Sequence, residues 1–250
     1  MKLNIERAWS DAMGLLRGHA ELLLPIFGLF AFLPALAIAL LLPMEAQSDG
    51  SLEKMVAAFQ TYFSANLIWI VLAGLFAAFA AATVLVVLTG QGQPTVGQAM
   101  GRALALTPSF YLFSILANIA IGIGFVFLIA PGIYLLGRLA LGKVHMAAEG
   151  RMNPIWAFGA TWHTTKGNGW RIAFVLVLIF VIGLIIGMAA GAVLGVVAGL
   201  LGGADAARTT NIVVTTLVST VTSLIMLLVQ LAAYRQLASA PAAGEASSGT

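Results

Sequence analysis

The chain has 250 residues, of which 61% are hydrophobic and 8% charged, with a net charge of +3 and no cysteine. A soluble domain carries about 25% charged residues and leaves roughly a quarter of its surface exposed at this length, so a water-soluble fold could not hide this much apolar surface. The composition requires a bilayer as solvent. It excludes disulfides, thiolate catalysis and cysteine metal sites, and without a basic patch interleaved with aromatics it carries no nucleic-acid footprint.

In chain order, the first apolar run begins near Leu22, after a segment holding Glu6, Asp11 and Glu21. At about 21 residues it exceeds the h-region of a secretory signal and reads as a retained membrane helix. Six segments are apolar enough to cross about 30 Å of hydrocarbon: Leu22–Leu42, Leu67–Thr89, Phe110–Ala130, Gly132–Ala148, Ile172–Leu200 and Ile212–Leu237. Pro34 predicts a kink in the first, and Pro131-Gly132 reads as a tight turn between the third and fourth. After the first span, Leu52, Met55, Val56, Phe59, Tyr62 and Phe63 follow helical spacing, which predicts an amphipathic helix lying on the outer leaflet. Gly90-Gln91-Gly92-Gln93-Pro94 reads as a turn rather than a phosphate cradle. The fold expected is an all-α polytopic bundle of three helical hairpins with interfacial helices. It forms one transmembrane domain over residues 1–238, followed by a disordered tail, Ser239 to Thr250, rich in Ala, Ser and Gly.

With the N-terminus in the cytoplasm, Lys2, Arg7, Arg17, Arg102, Lys143, Arg151, Lys166, Arg171 and Arg235 fall on or near the cytoplasmic side. Only Lys54 and Arg208 fall outside, and Arg138 lies within a span. The positive-inside rule thus predicts both termini in the cytoplasm. A weak internal repeat aligns Ile5–Leu16, Val96–Thr107 and Pro154–Thr165 on Ala8, Ala99 and Ala157, each copy preceding an odd-numbered span. The repeat reads as an interfacial helix followed by a transmembrane hairpin.

Gly183, Gly187, Gly191, Gly195 and Gly199 recur every fourth residue of the fifth span. Small residues at that interval let helix backbones approach closely. The expected partner lies in the same chain: Gly74, Ala78 and Ala82 of the second span, or Thr215, Ser219, Thr222 and Ser223 of the sixth.

Arg138 is costly inside a membrane and marks a candidate site by default. On an ideal helix Tyr134, Arg138, His145 and Glu149 form one polar stripe, which could bind a phosphate or carboxylate. The competing reading is structural: Arg138 satisfies carbonyls freed near Pro131, or snorkels. Trp156, Trp162, Lys166, Trp170 and Arg171 read as interface or headgroup anchors. His19, His145 and His163 lack metal-ligand spacing, and the scattered carboxylates form no acid–base pair. The expectation is therefore no enzyme, no metal and no cofactor.

The run Ala130-Pro131-Gly132-Ile133-Tyr134-Leu135-Leu136-Gly137-Arg138-Leu139 is followed by Glu149, Asn153-Pro154-Ile155-Trp156-Ala157-Phe158, Thr161-Trp162, Lys166-Gly167 and Trp170-Arg171. This resembles the membrane domain of bacterial glycerophosphoryl diester phosphodiesterases and related small inner-membrane proteins, over about residues 95–200. Members often carry arginines where Gly159 and Ala160 stand here. The family's catalytic barrel has no counterpart in the chain. The resemblance implies an α-helical domain of the bacterial cytoplasmic membrane without catalytic residues. The role expected is lipid-binding, membrane-organising or scaffolding, with the bilayer, a specific anionic lipid or a protein as partner; the alternative is a transporter or channel for a small polar or lipid-like solute.

Overall fold

The computed structural model describes residues 2–42, 51–90 and 95–238, and among these the regular structure is entirely helical. The tail from Ser239 and most of the Gly90–Pro94 turn lie outside the described residues. The helices are α1 (Ile5–Phe27), a π-helical stretch Gly28–Phe32, α2 (Leu33–Leu41), α3 (Leu52–Thr89), α4 (Val96–Phe127), α5 (Ile129–Leu139), α6 (Gly142–Glu149), α7 (Pro154–Thr164) and α8 (Gly169–Ala238). Four stretches among the described residues are long and apolar enough to cross a membrane: Ile5–Leu41, Glu53–Thr89, Val96–Phe127 and Gly169–Ala238.

The longest stretch is two limbs rather than one rod. Gly203 breaks α8 with φ 80° and ψ −172°, a backbone state that only glycine adopts without cost. Beyond it the chain runs back along itself: Gly183 faces Thr222, Gly187 faces Val218, Gly191 faces Asn211 and Thr215, and Gly199 faces Ala207. The glycine stripe therefore packs on the hydroxyl-bearing limb of the same chain. Gly74, the other candidate, lies under Tyr111 of α4 instead.

The repeat appears in the caps. Asn4, Thr95 and Asn153 each cap the helix that follows, their side-chain oxygens accepting N–H groups of its first turn. Each cap stands four residues before Ala8, Ala99 or Ala157, whose N–H donates to the cap carbonyl at 3.0, 2.9 and 3.2 Å. All three alanines are buried, as are Ala12, Ala103 and Thr161 one turn on. The copies then diverge. α1 kinks at His19 (φ −131°, ψ 15°), α4 continues through Pro108, and α7 stops at the turn Thr165–Asn168.

The structure differs from the sequence-based expectation in three further places. The amphipathic segment after the first span is helical but continues unbroken into the second span as α3, and so is not a separate surface helix. Its polar residues do not interrupt it, because Asn66 donates to the Tyr62 carbonyl at 2.9 Å and Ser64 to the Thr61 carbonyl at 3.1 Å. In the first span a π-helical turn precedes Pro34, with Leu33 N–H donating to the Gly28 carbonyl. The fourth span is two short helices broken at Ala140-Leu141, and the chain reverses at Leu128 rather than at Pro131-Gly132. Pro131 sits in the first turn of α5, where its missing N–H costs no hydrogen bond.

The glycine contacts predict opposite responses to one added methyl. Gly183→Ala drives Cβ into Thr222, whose Oγ1 is held by the Val218 carbonyl, and should lower stability in detergent by ~1–3 kcal/mol. Gly14→Ala meets nothing within 4 Å and should be neutral or stabilising by up to ~1 kcal/mol. Denaturant titration of both variants followed by circular dichroism checks the pair.

Candidate functional site

The break at Ala140-Leu141 divides the expected polar stripe in two. Gly137 and Gly142 sit on either side of it and are held by different neighbours: Gly137 lies on the backbone of Gly169 and on Ala173, Gly142 under the ring of Phe113. The Arg138 carbonyl accepts the hydroxyls of Thr161 (3.1 Å) and Thr165 (3.2 Å) on α7. This locks the end of α5 to α7 and sends the two halves of the stripe to different surroundings.

Tyr134 and Arg138 remain together on α5. Arg138 is 4% exposed, and its stem lies against Gly169 at the start of α8. Its guanidinium carbon is 4.1 Å from the Trp162 ring centroid and 5.8 Å from that of Tyr134. The Tyr134 ring meets Trp162 edge-on at 6.4 Å and Trp170 at 5.6 Å. Two of the tryptophans read as anchors thus belong to the arginine's surroundings. Beside them lies a cavity of about 560 Å³ lined by Ala130, Pro131, Tyr134, Gly167, Gly169 and Trp170. α5 brings Arg138 to the turn that precedes α8.

The guanidinium has no hydrogen-bond or ion-pair partner among the described residues, and its Nε is fully buried and unsatisfied. It neither snorkels nor bonds a carbonyl near Pro131. A stacked arene contributes about 2 kcal/mol or somewhat more to a desolvated cation, whereas removing an ion from water costs several kcal/mol even after relaxation. The site is one acceptor short.

His145 and Glu149 occupy a second cluster. His145 is buried, with Nδ1 3.5 Å from a Glu149 carboxylate oxygen and no hydrogen bond at either ring nitrogen. Tyr234 and Trp156 meet its ring edge-on at 4.7 and 6.2 Å. Arg151 stacks on Trp156 at 4.7 Å and lies 3.7 Å from Glu149. Trp156 is therefore a half-buried wall of this cluster. Lys166 is exposed, while Arg171 donates to the Leu3 carbonyl at 3.0 Å and so ties down the N-terminal segment. Gly183 to Gly199 serve packing within α8. Among the described residues no three His, Cys, Asp or Glu side chains come together as a metal site.

Sequence reasoning missed Asn168, which is buried and accepts the Leu3 N–H at 2.8 Å. It also missed the supporting hydroxyls of Thr161 and Thr165. The four-residue spacing of the two threonines was a faint local signal; nothing local pointed to Asn168.

Among the described residues the regular structure is all-helical, and four apolar stretches long enough to cross a membrane suggest a membrane protein. Residues 11–237 match the family described as Domain of unknown function (DUF7847), and the chain belongs to that family. The match says nothing specific for the phosphodiesterase membrane-domain family that residues 130–171 resemble. No curated protein and no solved structure matches the chain.

The missing acceptor yields a stability prediction. Replacing even a paired buried ion by apolar residues of similar volume is often neutral or stabilises by about 1–4 kcal/mol, and an unpaired cation has no Coulombic partner to lose. Arg138→Met should therefore match or exceed the wild type in melting temperature after thorough delipidation. A fall of several degrees would mean that the guanidinium already has its partner within the chain.

Proposed function

We propose that the protein is a multi-pass, non-enzymatic membrane protein that binds an anionic phospholipid through Arg138, with Tyr134, Trp162 and Trp170 around it. The observation that carries this reading is the unpaired guanidinium, which lies over Trp162 while its stem packs on Gly169 beside Tyr134, two walls of an open cavity. A fixed cation in that position favours an anion that brings its own apolar body, since the cavity wall is largely apolar, with Ala130, Pro131 and Trp170 in it.

The topology proposed with it is six crossings, with both termini on the cytoplasmic side of a bacterial inner membrane. The Gln236 amide meets the Asn4 backbone at 3.3 Å, which supports both ends lying at one face. The stretch Ile5–Leu41, α3, α4 and the two limbs of α8 make five crossings. Parity then assigns the sixth to α5 and α6 together. Lys2, Lys166, Arg171 and Arg235 lie near the joined ends, which favours the cytoplasm for that face.

The transporter reading draws less support. The sixth-span hydroxyls that could have lined a polar path donate to their own helix: Thr215 to the Asn211 carbonyl at 2.8 Å, Thr222 to Val218 at 2.8 Å and Ser223 to Ser219 at 2.9 Å.

Native mass spectrometry of protein purified in mild detergent tests the lipid reading. Wild type should retain a phospholipid adduct that Arg138→Met loses while keeping its helical circular dichroism. Equal retention by both proteins would remove Arg138 from the reading, and no adduct on either would overturn it.

A further inference from the structure

Resting on the lipid reading, we infer that the group recognised is a phosphate, held between the Arg138 guanidinium and the N-terminal amides of α8. The cap of α8 is diverted. Asn168 precedes the helix, and its carbonyl accepts the N–H groups of Arg171 and Ile172, each at 3.0 Å. Its side-chain oxygen, which would ordinarily accept a first-turn amide, is taken by Leu3 N–H at 2.8 Å instead. The N–H groups of Gly169 and Trp170 have no hydrogen-bond partner among the described residues.

Free first-turn amides and the positive end of a helix dipole attract anions. The same two residues line the cavity beside Arg138. A Cβ built on Gly169 would stand 2.7 Å from Arg138 Cδ and 3.1 Å from the Tyr134 ring, so the arginine stem runs directly behind this glycine. The dangling amides and the buried, unpaired arginine are separate observations; the arginine's stem passes Gly169 and its guanidinium ends over Trp162.

The chemistry of the pair selects among anions. A tetrahedral phosphate can offer two oxygens to a guanidinium and separate oxygens, pointing out of that plane, to backbone amides, whereas a carboxylate that engages the guanidinium bidentately has only the remaining in-plane lone pairs of the same two oxygens for the amides. A phosphodiester also carries one negative charge, which matches one guanidinium. The source is a phospholipid headgroup rather than free phosphate because the cavity wall is largely apolar: Ala130, Pro131, Tyr134 and Trp170 line it, and Trp170 is 54% exposed.

Delipidated full-length protein in a neutral detergent is titrated with dihexanoyl phosphatidylglycerol, with hexanoate and with inorganic phosphate, followed by tryptophan fluorescence. Arg138→Gln and Gly169→Ala are titrated in parallel, with the melting temperature of each recorded. The phospholipid should bind at least tenfold more tightly than hexanoate, inorganic phosphate should compete with it at higher concentration, and both variants should weaken it at least tenfold. Equal binding of phospholipid and hexanoate overturns the phosphate assignment while leaving lipid binding intact. Tight binding of inorganic phosphate without the phospholipid keeps the phosphate site and overturns the lipid reading. No saturable change with any of the three overturns both. If Arg138→Gln fails to fold, the comparison of three probes on wild type still decides.

Discussion

In hydrocarbon no water is available to the backbone, so each amide and carbonyl must find its partner within the protein or its ligand. That constraint explains the architecture. The described backbone is helical in its regular structure, and hydroxyls such as those of Thr83 in α3, Ser114 in α4 and Thr220 in α8 return to carbonyls of their own helix. Large apolar side chains remain on the outside, including Val126, Leu200 and Leu201, each more than four-fifths exposed. Where lipid solvates the outside as well as packing solvates the inside, leucine burial no longer distinguishes one arrangement from another. Specificity falls to close backbone approach at glycines and to the few polar ties.

Those ties gather where the three repeats begin. Asn4, Thr95 and Asn153 cap equivalent helices, and each capped helix buries an alanine at the same step. The first repeat is joined to the third through Leu3 with Asn168 and Arg171, and through Asn4 with Gln236. Arg235 reaches back to the Leu88 carbonyl at 2.6 Å, linking the third to the first again. One consequence reaches the candidate site: Leu3 occupies the Asn168 side chain that would otherwise cap α8. The contact that closes the bundle thereby leaves the Gly169 and Trp170 amides open.

The parts of this arrangement that depend on short-range periodicity were legible in the sequence. A glycine every four residues announces a close helix contact, and Gly202-Gly203 marks its reversal; the partner limb followed because it is the next segment of chain. The buried Ala8, Ala99 and Ala157 were also visible as a register. The surroundings of Arg138 were not. An ideal helix carries Tyr134, Arg138, His145 and Glu149 on one stripe, but Gly137 and Gly142 are held by partners far along the chain, and the helix breaks between them. Trp162 and Trp170 look like ordinary interface anchors until the Thr161 and Thr165 hydroxyls bring α7 onto α5. The amphipathic run from Leu52 to Phe63 showed its helix but not its continuation, since no glycine or proline separates it from the second span.

The account depends most on acyl chains touching the exposed faces of the long helices. Trp69 lies within α3 and is 53% exposed, with no ring partner among the described residues. A variant with Trp9, Trp156, Trp162 and Trp170 replaced by Phe, reconstituted in bilayers of lipids brominated along their tails, reports this contact through fluorescence. Strong quenching of Trp69 by the tail bromines, with little from aqueous iodide, is the predicted result. Quenching by iodide and not by the bromines would place that face in water and contradict the account.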